Sequence, residues 1–428
     1  MRWFRFGLII LFAVTPARAD ETDWKTRLAA AIARATTQNP SIAEMESRIE
    51  AARHRIGQST ALPDPEIEAG IQDIPPSTFS FTQDDFTMEK FLARQTIPGA
   101  GKRPARRRSA EAEVDAVSAA HAEHVVRIAA EVADAFFTVG ALDARIGIFE
   151  ASRERLKRVA ASAAERYRVG KGVQADVLRA NLEVTAVEER LAGLRGERRM
   201  VAARLNALQA LHPDTPVAPL AIPAEEPSMP AAGDLIREAE TRSPGVAAAS
   251  AQVRMAEEQL QLALLERRPD FTATAYYAHR VDFEDLVGAF VGLNLSFFQP
   301  KRLDEKKAEK GAELSGARAS LEMVKNEMRR GVEEAYADLE RSIEQTRLYR
   351  GSILPQAETN ASAAQEAYTV GQIDFLTYVR AALDRDAYEA ELAMRRAGAW
   401  RAVAALQKAS GLPLVPGMPA TGEIHVQN

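Results

Sequence analysis

Few residues of this 428-residue chain have the types and the spacing that catalysis or ligand binding requires. His121 and His124 stand three positions apart and could share a metal ion, but no third ligand follows nearby. We therefore expect both on a solvated helix face and predict no metal site. Gly99 and Gly101 precede Lys102 without the spacing, or the Ser or Thr, of a phosphate-binding loop. The sequence thus predicts no catalytic residue and no cofactor.

Composition and charge exclude further classes of function. The chain has no cysteine, which excludes thiol catalysis, thiolate zinc sites and a lipid anchor on an N-terminal cysteine. Its net charge of -5 argues against nucleic acid as a partner, because phosphate binding needs a basic surface. Residues 1–19 combine Arg2 and Arg5 with a short apolar run and small residues, the pattern of a secretory signal peptide. We expect an exported protein that is not a lipoprotein, and no transmembrane helix.

The chain contains an internal repeat. The segment AAERYRVGKG of the first half resembles AAQEAYTVGQ of the second half, and Pro40 and Pro65 recur at the same separation as Pro244 and Pro269. Between the halves lies a stretch too rich in proline for a helix or a central strand. The predicted segments are a signal peptide at 1–19, a first repeat at 20–212, an extended linker at 213–231, a second repeat at 232–412 and a C-terminal tail at 413–428.

Alternating polarity predicts two strands of about ten residues in each repeat, each with one wet face. Lys90 and Arg94 interrupt the alternation of the second strand, so we expect a β-bulge there. The predicted strands cover residues of about 66–73, 86–97, 270–279 and 286–298.

Long helices occupy most of the remaining sequence. Nothing breaks a helix from Lys102 to Val169, and a seven-residue apolar period continues from Val177 to Leu208, interrupted only by Arg198. Gly170-Lys171-Gly172 forms the turn between these helices, which predicts a coiled-coil helical hairpin. At 1.5 Å per residue the first helix is roughly 100 Å long, and two shorter helices could stack end to end beside it. The fold class is mainly α with a small β part.

Four amphipathic strands cannot close a barrel, and open strand edges are not tolerated in lipid. We therefore expect other copies of the chain to complete the sheet. Two copies would give an eight-stranded barrel filled by its own side chains, whereas three would give twelve strands and a wider lumen. In such a barrel Val291 and Leu293 should face lipid, and Asn294 and Ser296 should face the lumen.

Taken together, the paired Y-x-V-G turns, the segment SILPQAETNASAAQEAYTVGQIDFLTYVRA, the proline-initiated strands and the duplication resemble the TolC family of outer-membrane efflux proteins. The segment QTIPGAGKRPARRR is similar to its CzcC-like cation-efflux branch. The resemblance implies a homotrimer with four transmembrane β-strands per chain, forming a 12-stranded β-barrel in the outer membrane joined to a periplasmic α-barrel. It also implies a passive exit duct for small molecules or metal ions, served by a periplasmic adaptor protein and a proton-driven inner-membrane pump.

The same resemblance assigns roles at the periplasmic tip. The family has an acidic ring just past the Y-x-V-G turn, but the matching positions here hold a mixed set, which we expect to form the constriction: Asp176, Arg179, Thr377 and Arg380. The two tyrosines of the turns could instead pack at the end of the core, and the glycines could simply be helix caps at positive φ. The expected adaptor-docking residues are Tyr167, Val169, Gly170, Lys171, Gly172, Tyr368, Val370 and Gly371.

Other functions stay open at the level of sequence. A type I protein secretion channel has the same architecture, because the cargo is chosen by the inner-membrane partner. A periplasmic coiled-coil scaffold would explain the heptads but would leave the alternating strands without a purpose. A hydrolytic enzyme would need a convergent nucleophile, base or metal group, and no such motif is found.

Overall fold

The computed structural model of the protein describes residues 24–295 and 299–417. A helix–helix–strand–strand order occurs in each half and is followed by long helices. The helices are α1 (Trp24–Gln38), α2 (Pro40–Thr60), α3 (Lys102–Arg168), α4 (Gln174–Leu208), α5 (Ala232–Arg242), α6 (Pro244–Leu265), α7 (Pro300–Leu348), α8 (Leu354–Thr369) and α9 (Phe375–Ser410). The strands are β1 (Glu66–Gln72), β2 (Met88–Ile97), β3 (Asp270–His279) and β4 (Leu286–Asn294).

The four strands form one antiparallel sheet in the order β1-β2-β3-β4. Strand β2 pairs without interruption with β1, from Arg94 opposite Glu66 to Met88 opposite Gln72, and also with β3. The predicted bulge is therefore wrong. β2 also begins two residues later than predicted, because the carboxylate of Asp84 binds the preceding turn.

The two faces of the sheet differ sharply in polarity. Lys90 and Arg94 do not disturb the alternation, because both lie on the polar face, where Lys90 bonds to Gln72 (3.1 Å) and Arg94 pairs with Glu66 (3.2 Å). Val291 and Leu293 lie on the opposite face, as predicted, and Asn294 lies on the polar one. Ser296 and the predicted end of β4 lie outside the described residues. The large exposed side chains of the apolar face include Ile67, Ile71, Phe91, Phe271, Val287, Val291 and Leu293.

The long helices run beneath the sheet and have shorter helices beside them. Helix α3 has 67 residues and packs against α2, α4, α6 and α9. The amide of Asn39, which caps α2, donates to the carbonyl of Leu208 at the end of α4 (2.8 Å), so α2 and α4 stack end to end. Gly411 at the end of α9 similarly meets Ser243 and Pro244 at the start of α6. The predicted end-to-end stacking is confirmed.

A single π-helical turn, Tyr349–Ile353, joins α7 to α8 into one continuous helical segment. The spacing of the sequence explains its presence. In the first half, Gly170 of the turn follows Lys102, the first residue of α3. The equivalent residues of the second half, Arg302 and Gly371, lie 200 and 201 positions later, so their separation is one residue longer. A π-turn accommodates one extra residue without ending a helix. The second long helix therefore reaches its turn with the same geometry as the first.

The main hydrophobic core lies at mid-height of the helices, where α1, α5 and the linker pack outside the long helices. Trp24 of α1 contacts Trp400 of α9 (ring centroids 4.9 Å apart), and Phe137 of α3 stacks on Trp400 at 5.6 Å. These rings belong to a large cluster of buried residues that joins both halves of the chain. None of the helices in residues 24–295 and 299–417 has the length and apolar character needed to cross a bilayer.

Residues 213–231 run in an irregular path over the helices, without helix or strand. Arg27 donates to the carbonyl of Pro219 (2.7 Å). Arg198, which interrupts the heptad pattern of α4, pairs with Asp143 of α3, and Asp143 also accepts from the N–H of Leu220 (3.0 Å). The polar interruption of the heptads therefore attaches the linker to the first helical hairpin.

His121 is buried, so its predicted place on a solvated face is wrong. Only 5% of its surface is exposed, because α2 covers this side of α3. The ring of His124 lies 2.7 Å from the hydroxyl of Ser41 on α2. Burial lowers the pKa of both imidazoles, so both favour the neutral form. Within the described residues, no group of three metal-ligating side chains is found.

The passage from sheet to helix is held by an ion pair between the two halves of the chain, with a buried lysine and a partly buried aspartate. Lys102, the first residue of α3, is 4% exposed, and its Nζ lies 2.8 Å from Oδ1 of Asp270, the first residue of β3. Asp270 also accepts from the N–H of Gly99 (2.7 Å). A Cβ at Gly99 would lie 2.3 Å from the carbonyl oxygen of Pro269, so only glycine fits there. The segment from Gly99 to Lys102, which has no phosphate-loop chemistry, thus forms the corner between the sheet and α3.

Replacing Lys102 by Met should destabilise the protein by about 1–3 kcal/mol, because the partly buried Asp270 carboxylate would lose its counter-charge and the hydrogen bond that Lys102 donates to it. The matched control is Arg107→Met, which removes an exposed pair with Glu111 on the same helix and should cost no more than about 0.5 kcal/mol. Urea unfolding in detergent, followed by tryptophan fluorescence, measures both. Equal shifts of the two midpoints would contradict the role given to the corner.

Candidate functional site

The two hairpin turns at the far end of the helices have the same backbone structure. In the first, the N–H of Lys171 donates to the carbonyl of Arg166 (2.8 Å), and Gly170 takes φ of 70°. In the second, the N–H of Gln372 donates to Ala367 (2.8 Å), and Gly371 takes φ of 80°. This six-to-one bond with a left-handed glycine is the Schellman motif that ends helices.

The glycines are required by the backbone and not by crowding. A Cβ at Gly170 or Gly371 would meet no atom within 4 Å, but an L-residue with a side chain rarely adopts the positive φ found at both. The prediction that both glycines are caps at positive φ is therefore confirmed. Gly172 differs, because its Cβ would come within 3.1 Å of the Cβ of Arg166.

The helices that follow the turns begin differently. Asp374 caps α9, where its carboxylate accepts from the N–H of Thr377 (2.7 Å). This bond and the Thr377 hydroxyl lower the pKa of Asp374. Helix α4 begins after Val173, which offers no side-chain cap, and carries Asp176 in its first turn. The second turn is therefore fixed by a side chain that the first turn lacks.

The two turn tyrosines also differ. Tyr368 stacks on Tyr378 (centroids 5.2 Å apart) and meets the buried Phe375 edge-on at 5.7 Å. The guanidinium of Arg166, from the first hairpin, lies 4.9 Å from the Tyr368 ring and joins the two turns. Tyr167 is 49% exposed. Packing at the end of the core therefore describes Tyr368, whereas Tyr167 presents its ring to solvent.

Exposed apolar residues surround both turns. We call this set the tip patch; it comprises Tyr167, Val169, Val173 and Val370. The side chain of Lys171 is exposed beside it, as is Gly371. Exposed apolar residues grouped at one end of a molecule are typical of an interaction surface.

The predicted constriction residues lie next to the turns. Asp176 is half-buried, and Arg179, Thr377 and Arg380 are exposed. The backbone N–H of Thr377 is bound by Asp374, so this residue contributes to the cap of α9. Within the described part of the single chain, Asp176, Arg179 and Arg380 form no ion pair with one another. Arg380 instead lies close enough to Asp374 to help lower the pKa of that carboxyl.

A polar cluster above the second turn was not found by sequence reasoning. Asp386 of α9 is 1% exposed, and its carboxylate lies 2.5 Å from Nη2 of Arg155 on α3 and also binds Arg385. The cluster borders a cavity of about 390 Å³ between α3, α8 and α9, which Tyr378 also lines. A single aspartate in a helix pattern gives no signal of this kind, because its two partners come from different positions on two helices.

The described fold matches solved structures of outer-membrane channels over almost its whole length. VceC from Vibrio cholerae has a TM-score of 0.76 at 18% identity, with 92% of this chain and 98% of that chain covered. The outer-membrane channel OprN has a TM-score of 0.73 at 18% identity and 93% coverage of both chains. CusC has a TM-score of 0.72 at 13% identity, with 90% and 92% covered. The fold is thus that of an outer-membrane channel protein.

The sequence identifies the family. The profile of the outer membrane efflux protein family matches residues 31–210 and again 235–412, which is most of the chain. The chain belongs to this family, so its function is efflux at the outer membrane and it is not an enzyme. A search of curated protein sequences finds no significant match.

Replacing both Gly170 and Gly371 by Val should abolish efflux in cells, because a β-branched residue at positive φ costs roughly 1–2 kcal/mol at each turn and distorts the tip patch. Replacing both by Asn, which tolerates the left-handed region, should preserve efflux. Resistance of cells to a transported compound measures both variants.

The control for these variants is Gly193→Val, which places the same side chain on α4 at a position with no atom within 4 Å of the new Cβ. It should leave efflux and the amount of protein in the outer membrane unchanged. Full efflux by the double Val variant would contradict the role of the turns.

Proposed function

We propose that three copies of the chain form the exit duct of a tripartite efflux system. The three sheets would form a 12-stranded β-barrel in the outer membrane, and the long helices would form a tube across the periplasm. The duct would be passive and would conduct small molecules or metal ions delivered by a proton-driven inner-membrane pump through a periplasmic adaptor protein. The repeat within each chain would make the wall of the duct nearly six-fold.

The observation that carries this proposal is the four-stranded sheet with two unpaired edges and one exposed apolar face. Val291, on this face, is 78% exposed, and Val287 is 81% exposed. Large aliphatic side chains at this exposure fit lipid, and an open edge does not. Closure by further copies satisfies both constraints.

The polar face of the sheet supports a water-filled lumen. Lys90, Arg94, Glu66 and Glu68 lie on this face, and Arg94 pairs with both glutamates at 3.2 and 3.3 Å. Opposite charges are interleaved, so the face carries little net charge. Such a lining favours no single sign of cargo charge, which agrees with selection of the cargo by the pump.

The lower end of the tube supports docking and control at the tip. The tip patch gives an apolar surface for an adaptor protein around the two glycine turns. Asp176, Arg179 and Arg380 lie just behind it, and both arginines are exposed. We infer that these residues meet the equivalent residues of neighbouring helices and hold the duct closed at rest.

The duct predicts a trimer that conducts ions. The mature protein in detergent should scatter light as a trimer, and in planar bilayers it should give discrete conductance steps. A protein that stays monomeric with an intact β signal in circular dichroism would contradict the proposal. Residues 1–19 are expected to be absent from the mature protein, which N-terminal sequencing of the exported protein checks.

Removing the tip arginines should open the duct. The double variant Arg179→Ala with Arg380→Ala should raise single-channel conductance and increase the preference for cations, because the constriction would lose six positive charges in a trimer. Each exposed pair contributes at most about 1 kcal/mol, but three-fold repetition multiplies the effect.

The control for the tip variant removes the same charge elsewhere. Arg237→Ala with Arg242→Ala, on the outer helix α5, should leave conductance and ion preference unchanged. Equal conductance of the tip variant and the native protein would place the constriction elsewhere along the tube.

A further inference from the structure

The two outer strands of the described sheet, β1 and β4, each have one unpaired edge. The pairing of β2 with β3 inside the chain allows the pairing of these edges to be inferred. Within the described residues, β1 pairs only with β2, and β4 pairs only with β3. The junction between the two halves of the chain, β2 with β3, is fully described. If the halves are equivalent, the junction between two copies, β4 with β1, repeats the junction inside one copy. This inference rests on the proposed trimer.

The equivalence of the halves gives two fixed offsets. Strands β1 and β3 begin at Glu66 and Asp270, 204 positions apart, and the prolines that begin α2 and α6, Pro40 and Pro244, have the same separation. In the hairpins, Glu66 pairs with Arg94 and Asp270 pairs with Asn294, so β2 and β4 are 200 positions apart.

These offsets transfer the observed register to the edges. The pair Arg94–Thr274 of the β2–β3 junction becomes Asn294 opposite Gly70 of the next copy. By the same transfer, the neighbouring pair Ala93–Ala275 becomes Leu293 opposite Ile71. A shift of one residue would turn every side chain of one strand to the other face.

The polarity of the sheet agrees with this register and excludes any shift by an odd number of residues. Leu293 and Ile71 both lie on the apolar face, and Asn294 and Gly70 both lie on the polar one. The transferred register therefore keeps the apolar face continuous from one copy to the next.

Charge complementarity gives a second check at the sheet-to-helix corner. Inside the chain Lys102 pairs with Asp270. With the offset of 200, Arg302 is equivalent to Lys102, and with the offset of 204, Glu66 is equivalent to Asp270. A basic residue of one copy would therefore again lie beside an acidic residue, here of the next copy. Arg302 is exposed at the start of α7, and the side chain of Glu66 is 62% exposed in the single chain.

We propose that β4 of one copy pairs antiparallel with β1 of the next, with Asn294 opposite Gly70, and that Arg302 forms an ion pair across this junction with Glu66 of the next copy. The junction between copies thereby repeats the strand register and the acid–base pair of the corner inside one chain. The close approach at Gly99 is not repeated, because Gln299 stands at the equivalent position.

The absence of cysteine makes the register directly measurable by cross-linking. In the double variant Gly70→Cys with Asn294→Cys, the two Cα atoms of different copies would lie about 4.5–5.5 Å apart, within the range of a disulfide. Oxidation in membranes should convert most of the protein to covalent dimers and trimers on non-reducing gels. Both positions face the lumen, where a water-soluble oxidant reaches them.

The matched control moves one cysteine by two residues on the same face. Gly70→Cys with Gly292→Cys would place the cysteines on a diagonal of about 7–8 Å, too far for a disulfide, so monomers should remain. More efficient cross-linking of this control would overturn the register. No cross-linking of either pair in a protein that scatters light as a trimer would overturn the junction and leave the duct intact. A monomeric native protein would instead refute the proposed duct.

A charge exchange tests the ion pair. Glu66→Arg alone and Arg302→Glu alone should each lower the temperature at which the trimer dissociates in detergent, and the double variant should recover most of the loss. Glu66 also pairs with Arg94, so the control is Glu68→Arg, which places the same charge beside Arg94. Combining Glu68→Arg with Arg302→Glu should give no recovery. Equal recovery by both combinations, or none by either, would overturn the ion pair.

Discussion

The unpaired backbone groups at the two edges of the sheet constrain everything else in this molecule. In the part of the chain that the structure describes, β1 and β4 each leave one row of N–H and C=O groups without a strand partner. In lipid each such group would cost several kcal/mol, which is the physical reason for proposing that further copies pair with these edges. The apolar face beside those edges makes water an equally poor environment. In the proposed duct, association of copies would satisfy both constraints, and the helices would keep the sheets in a common orientation.

The corner between sheet and helix transmits this orientation. Lys102 begins α3 and is bound to Asp270, so the direction in which the long helix leaves the sheet is fixed by the other half of the chain. Because Lys102 is buried, an arrangement that separated it from Asp270 would leave a buried charge without its partner. End-to-end stacking of the shorter helices then carries the arrangement down to the turns, and the linker attaches both halves at mid-height.

The two halves are equivalent in outline and differ where the molecule meets its surroundings. Asp374 caps α9, whereas no side chain caps α4, and Tyr368 is packed, whereas Tyr167 is exposed. The second turn also has the buried Asp386 cluster behind it. The π-turn makes the halves more alike, because it absorbs the extra residue of the second half and lets both long helical segments end at equivalent turns.

The sequence by itself determined the features that depend on neighbours along the chain. Strand faces, the helical hairpins and the positive φ of Gly170 and Gly371 follow from periods of two and 3.6 residues and from turn chemistry, all local properties. It misplaced Lys90, Arg94 and His121, because a charged residue in a strand and a histidine on a helix have the same local pattern whether they face water or a packed neighbour. Only the tertiary structure brought Lys102 to Asp270, α2 over His121, and Arg155 to Asp386. These contacts join residues that are far apart in sequence, and no local period carries information about which distant segment covers a given face.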